Sequence, residues 1–102
     1  MTDMTTFTQA CCIDPRHPAL AGHFPQRPLV PGVTLLEQVA LALRAWRQQR
    51  LARVVEAKFI APLLPAKAAQ LRLTAPADSL RVRFVIECAG EVLARGLVEA
   101  AP

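Results

Sequence analysis

Tyrosine is absent from this chain, tryptophan occurs once, and aromatic residues fill 5% of its 102 positions. The basic residues are therefore not interleaved with rings on which bases could stack, and nucleic acid is a poor partner despite a net charge of +4. An acidic protein partner suits that charge, as does a solvated basic surface with no partner at all. Cysteine is also scarce: three residues, two of them adjacent, do not make a disulfide framework. On a strand Cys11 and Cys12 point to opposite faces and serve as small apolar fillers in a reducing compartment. No apolar run reaches the ~18 residues of a membrane span. Residues 1–9 are polar, without the basic start and apolar core of a secretory leader. The expectation is a cytoplasmic protein with no membrane span.

What the chain does have is apolar surface. Hydrophobic residues make up 53% of it and charged residues 20%, a surplus for a monomer of this length. A chain of 102 residues is expected to form one domain, 1–102. Such a domain buries only a modest share of its surface, so an apolar face should remain for a second copy.

Residues 5–13 carry β-branched, aromatic and small apolar side chains and read as a first strand. Five of the nine prolines then fall between Pro15 and Pro31. Fixed φ angles and missing N–H donors make that stretch a stiff arch that is neither helix nor sheet interior. Residues 33–50 contain no Gly or Pro and are rich in Leu, Ala, Gln and Arg, which predicts a helix about 27 Å long. Its first turns are apolar nearly all round and predict burial; Arg44, Arg47 and Arg50 at its far end reach water and complement the helix dipole. Strands follow at 53–60, 68–75, 80–88 and 91–100, with a tight turn at Ala89-Gly90. Leu71 and Leu73 alternate with Gln70, Arg72 and Thr74, while Leu80, Val82, Phe84 and Ile86 alternate with Arg81, Arg83 and Glu87. One apolar and one polar face imply an antiparallel sheet covered on one side. The predicted fold class is α+β: one long central helix wrapped by an antiparallel sheet of about five strands.

The arch holds His23, one of two histidines, and Glu37 follows fourteen residues later among apolar neighbours. An imidazole exchanges a proton near neutral pH. A carboxyl in apolar surroundings is disfavoured as an anion and can donate a proton. Free backbone N–H groups at the helix start, around Gly32 and Val33, can polarise a carbonyl oxygen. Base, acid and oxyanion donor together suit removal of a proton beside a carbonyl and expulsion of a β-hydroxyl. On residue types alone, a structural histidine and a solvated glutamate fit as well.

The run Gly22-His23-Phe24-Pro25-x-x-Pro28-x-x-Pro31-Gly32-Val33, with Glu37 at its fixed distance, resembles the signature of the FabZ/FabA-type β-hydroxyacyl-(acyl carrier protein) dehydratases. The lead-in His17-Pro18-x-x-x-Gly22-His23 is most similar to the small ApeI-like members. Gln26 stands where the family pattern carries Gly. The resemblance covers essentially the whole chain and implies a hotdog fold, in which dimers join their sheets. It further implies catalysis by His23 as base, with Glu37 supplied by the other subunit of a homodimer. It also implies substrate contacts at Gly32, Val33, Leu29 and Phe24: Gly32 offers the N–H to the thioester carbonyl, and the Leu29 carbonyl orients the histidine ring. The implied substrate is a 3-hydroxyacyl thioester on acyl carrier protein, in fatty acid or aryl polyene-type lipid synthesis, with no metal or cofactor. Glu rather than Asp at position 37 implies dehydration without isomerisation. His17 is assigned to structure. Arg16, Arg27, Arg44, Arg47, Arg50 and Arg53 are candidates for carrier docking. A hotdog thioesterase and a non-catalytic carrier-binding subunit are the alternatives.

Overall fold

The computed structural model describes residues 4–13, 30–64 and 67–102. The proline arch, with His17, His23, Phe24, Gln26 and Leu29, lies outside the described residues, as do Arg16 and Arg27. The residues that flank the arch, Ile13 and Val30, are both buried. Among the described residues the order is β1 (Met4–Cys11), α1 (Gly32–Arg47), β2 (Arg50–Phe59), β3 (Ala69–Pro76), β4 (Arg81–Cys88) and β5 (Glu91–Ala101). All five strands join one antiparallel sheet in the order β1-β3-β4-β5-β2. The two ends of the sheet are thus the two strands that flank the helix in sequence.

The alternation read in β3 and β4 is the burial pattern of the structure. Leu71, Leu73, Val82, Phe84 and Ile86 are buried, together with Val98 of β5 and Val39 and Leu43 of α1. Each such side chain contributes about 1.5–3 kcal/mol by leaving water, which makes this layer the dominant favourable term. Leu80 departs from the expected pattern: it precedes β4 and is exposed. Cys11 is buried and Cys12 exposed, as opposite faces of the chain require. Ala89 (φ 53°) and Gly90 (φ 82°) form the β4–β5 turn, the paired positive φ values that match strand twist in a two-residue hairpin loop.

The helix is shorter than its composition predicts. It spans 16 residues, or about 24 Å, where an 18-residue segment was expected. Gln48 adopts a left-handed conformation (φ 56°) and gives its N–H to the Arg44 carbonyl at 3.0 Å, which closes the helix. Arg50 then pairs with Ala101 in the sheet. Ladder hydrogen bonds to β5 outcompete a further helical turn whose residues have only intrinsic propensity in their favour. Nor is α1 buried all round in the single chain. Thr34, Leu35, Val39, Ala42 and Leu43 face the core, whereas Val33 and Leu41 are 63% and 56% exposed.

Arg47 fixes the C-terminal end of α1. Its guanidinium donates to Ser79 O (2.9 Å), Pro76 O (3.0 Å) and Thr5 Oγ1 (2.7 Å), and lies 4.0 Å from the centre of the Trp46 ring. Trp46 in turn stacks on Phe7 of β1. Arg47 was a candidate for carrier docking. The structure corrects that expectation: its donors are spent on the carbonyls where β3 ends, because the last helical turn lies directly over that strand end. Arg47→Ala should lower unfolding stability by about 2–4 kcal/mol, since carbonyls on charge-assisted bonds would lose their partner. Urea denaturation of the variant beside the unmodified chain measures this.

Two ionisable groups set opposite pH limits on stability. Arg53, hydrogen-bonded to Glu99 at 2.8 Å, holds that carboxyl below the usual carboxylate range, with Arg81 adding at 3.2 Å. Its contribution is present above the unfolded value and is lost as pH falls through the folded one. Burial, followed by the neighbouring Cys12, pushes the Cys11 thiol up. That contribution is complete below the ordinary thiol value of about 8.5 and disappears as pH rises through the folded one. The melting temperature should therefore fall as pH is raised above about 8.5, and Cys11→Ala should flatten the fall. In the native protein a thiol reagent should modify Cys12 readily and leave Cys11 intact until the chain unfolds.

Candidate functional site

The first turn of α1 presents backbone donors that find no acceptor among the described residues. Pro31 caps it in an extended conformation (φ −62°, ψ 149°) with no side-chain cap, and no acidic residue stands in the turn. Thr34 and Leu35 already donate to the Pro31 carbonyl, at 3.0 and 3.3 Å. The N–H groups of Gly32 and Val33 precede the first possible helical acceptor, and among the described residues no acidic side chain in the turn offsets the positive end of the helix dipole. An oxygen bearing partial or full negative charge is the ligand such a turn accepts.

An apolar cleft of about 370 Å³ lies against this turn, lined by Val30, Gly32, Leu35, Phe59, Ile60 and Leu63. Two contacts shape it. Val30 donates its N–H to the Leu63 carbonyl at 3.0 Å, tying the end of the arch to the segment that leaves β2. The ring of Phe59 lies so close over the helix start that a Cβ on residue 32 would stand 2.8 Å from it. Gly32 thus does two things: it bares the backbone N–H and admits the aromatic wall of the cleft. Sequence reasoning missed Phe59, Ile60 and Leu63 as lining residues. The only local signal is an apolar pair, Phe59-Ile60, at a strand end before Pro62; nothing local indicates that it returns to a glycine 27 positions earlier.

The structure brings Gly32 and Val33 together at the helix start but does not bring Glu37 into the cleft of its own chain. At 100° per residue Glu37 lies about 140° round the helix from Gly32 and about 200° from Leu35, the helical residues that line the cleft. It belongs to an exposed stripe with Val33, Leu41 and Arg44, two of which are large apolar residues in water. The expectation of a carboxyl in apolar surroundings is not met within one chain: Glu37 is solvent-facing there, because the sheet occupies the other side of α1. His23, Phe24 and Leu29 lie outside the described residues.

A second cleft, of about 550 Å³, lies at the far end of the helix, with Leu41, Arg44, Arg50 and Leu51 among its lining. Arg44 and Arg50 are exposed there. Arg53 pairs with Glu99 on the outer face of the sheet. Among the described residues no three His, Cys, Asp or Glu side chains gather as metal ligands, and no helix is long and apolar enough to cross a membrane.

One helix laid on a five-stranded antiparallel sheet of order β1-β3-β4-β5-β2, with a cleft at the helix start, defines a hotdog-fold protein. Within that class, the model of the ApeI-like family, described as ApeI dehydratase, matches residues 1–97, and the chain belongs to that family. No curated protein matches the sequence. Among solved structures, the crystal structure of an uncharacterized protein from Erwinia carotovora subsp. atroseptica superposes with a TM-score of 0.84 at 24% identity, over 100% of this chain and 88% of that one. The dehydratase heterocomplex ApeI:P from Xenorhabdus doucetiae gives a TM-score of 0.82 at 20% identity, over 95% of this chain and 88% of that one. At such identities these two likenesses establish the fold.

The Phe59–Gly32 contact gives a direct test of the cleft. Gly32→Val should displace the ring and obstruct the first-turn N–H groups. Dehydratase activity should drop at least tenfold, while the melting temperature moves by only a few degrees, because the atom met first is the tip of a half-exposed side chain.

Proposed function

We propose that this protein is a hydro-lyase that removes water from 3-hydroxyacyl thioesters carried on acyl carrier protein and gives trans-2-enoyl thioesters. The observation that carries this reading is the apolar cleft at the uncapped start of α1, where Gly32 and Val33 offer N–H donors beside space for an acyl chain. In the proposed step the thioester carbonyl oxygen accepts from the Gly32 N–H, which stabilises negative charge as it develops. His23 takes the proton from C2. That electron pair forms the C2–C3 double bond, the C3–O bond breaks, and Glu37 supplies the proton that turns the departing hydroxide into water. Glu37 would return to its starting state by taking back the proton held on His23 or one from solvent.

In this reading Glu37 acts in the cleft of a second copy. Its position on the solvent side of its own helix supports that, as do Val33 and Leu41 exposed beside it. The carrier, an acidic protein, would approach cationic side chains; Arg44 and Arg50 are the exposed arginines near a cleft. The working compartment is proposed to be the cytoplasm and the pathway fatty acid or aryl polyene-type lipid synthesis. The dehydratase heterocomplex ApeI:P favours one further possibility, a different subunit in the second position.

A 3-hydroxyacyl carrier protein should lose the mass of water on incubation with the enzyme, with no release of free acid. His23→Ala and Glu37→Ala should each reduce the rate by at least a hundredfold. Mixing the two inactive variants should restore about a quarter to half of the activity, through the intact site in the mixed dimer. Release of free acid would indicate a thioesterase. No turnover with any chain length, alone or with a second hotdog subunit, would leave a carrier-binding role.

A further inference from the structure

The strand registers define the face of the sheet turned away from α1. Arg72, Val85, Arg95 and Lys58 stand opposite one another in a row across β3, β4, β5 and β2. The next row holds Arg83, Leu97 and Glu56, and the one beyond it Arg81, Glu99 and Arg53. With Glu87, the partner of Arg72, the face carries six cations against three carboxylates. Most of the chain's net charge of +4 therefore sits here. Glu99 is taken up by Arg53 and Arg81, and Glu87 by Arg72. Arg83, Arg95, Lys58 and Glu56 are exposed and form no ion pair among the described residues. On the two strands β4 and β5, Arg83 and Arg95 occupy one diagonal of a square and the half-buried Val85 and Leu97 the other.

We infer that the middle of this face seats on an anionic phospholipid surface, with Arg83 and Arg95 on headgroup phosphates. A guanidinium meets two phosphate oxygens at once, which makes arginine the apt residue for that contact. Val85, Leu97 and the arginine stems supply the apolar ground between the charged groups, as amphipathic side chains do at a membrane interface. Three features favour a lipid surface over other anionic partners. The cations are spread over four strands, about 5–10 Å apart across the sheet, and match many phosphates instead of one ligand. Neither cleft is lined by a residue of these rows, so the face offers no pocket to a small anion. Among the described residues no aromatic side chain belongs to the rows, which removes the anchors of a protein hot spot and the platforms on which bases stack. A second copy of the same face would repel through its own excess of cations. The cleft at the start of α1 lies on the opposite side of the sheet and stays open to substrate when the outer face is covered.

The test is co-sedimentation of the full chain with vesicles in about 0.1 M salt, where the Debye length is about 10 Å. Vesicles of phosphatidylcholine with about 40% phosphatidylglycerol should bind it, and phosphatidylcholine alone should not. Raising the salt to about 1 M should release it. Arg83→Gln and Arg95→Gln should each weaken partitioning about fivefold, and together about twenty-five-fold. Arg44→Gln with Arg50→Gln removes the same charge from the helix side and should change partitioning by less than about twofold, because that side lies beyond the screening distance. All four positions are exposed, and a melting curve of each variant checks that it is folded. Failure of the unmodified chain to bind the anionic vesicles overturns the inference. Equal losses in the two double variants also overturn it, since net charge and not this face would then be responsible. Retention on immobilised acyl carrier protein that Arg83→Gln and Arg95→Gln abolish, without vesicle binding, gives the face to an acidic protein instead. None of these outcomes bears on the proposed dehydration, which is read separately from loss of water.

Discussion

The ring of Phe59 stands where a side chain on residue 32 would have to be, and that contact fixes how the start of α1 meets the end of β2. A helix on a sheet can slide or tilt unless something specific holds each end. Here the C-terminal end is held by Arg47 on the carbonyls of β3. The N-terminal end is held by Gly32 under an aromatic ring, and by the Val30 hydrogen bond to Leu63. With both ends set, the first turn of α1 is held beside an apolar cleft that Gly32 lines. A partial positive charge facing low-dielectric space interacts far more strongly with an oxyanion than the same charge in solvent.

The same geometry turns Glu37 away. Helical periodicity lets a single helix line its own cleft with one face only, and the sheet claims most of what remains. A carboxylate midway along the opposite stripe serves another molecule or nothing. The rotation of the helix supports the proposed sharing of active sites. Such sharing also gives the exposed Val33 and Leu41 a purpose that a monomer does not.

Much of the fold is legible in the chain because period-two alternation over Ala69–Pro76 and Arg81–Cys88 is a direct imprint of a half-covered sheet. The helix start is equally legible, since Pro31 cannot continue a strand interior and Gly32 opens a run of helix formers. Its end is not. Gln48 is an ordinary helix residue with no glycine or proline beside it, and only the pull of β5 on Arg50 decides that the helix stops at Arg47. Leu80, apolar and in phase with β4, reads as core but lies outside the strand, where no neighbour covers it.

By itself the sequence determined the order of elements, the core faces of the central strands, and the chemical types gathered around the helix start. Those depend on local patterns: periodicity, proline geometry, residue type. Only the tertiary structure decided that β2 returns from the far edge of the sheet to lay Phe59 over Gly32, that Arg47 is consumed inside the fold, and that Glu37 faces outward. Each of these joins positions distant in sequence through packing or strand pairing, and no local pattern records which distant residue will supply the contact.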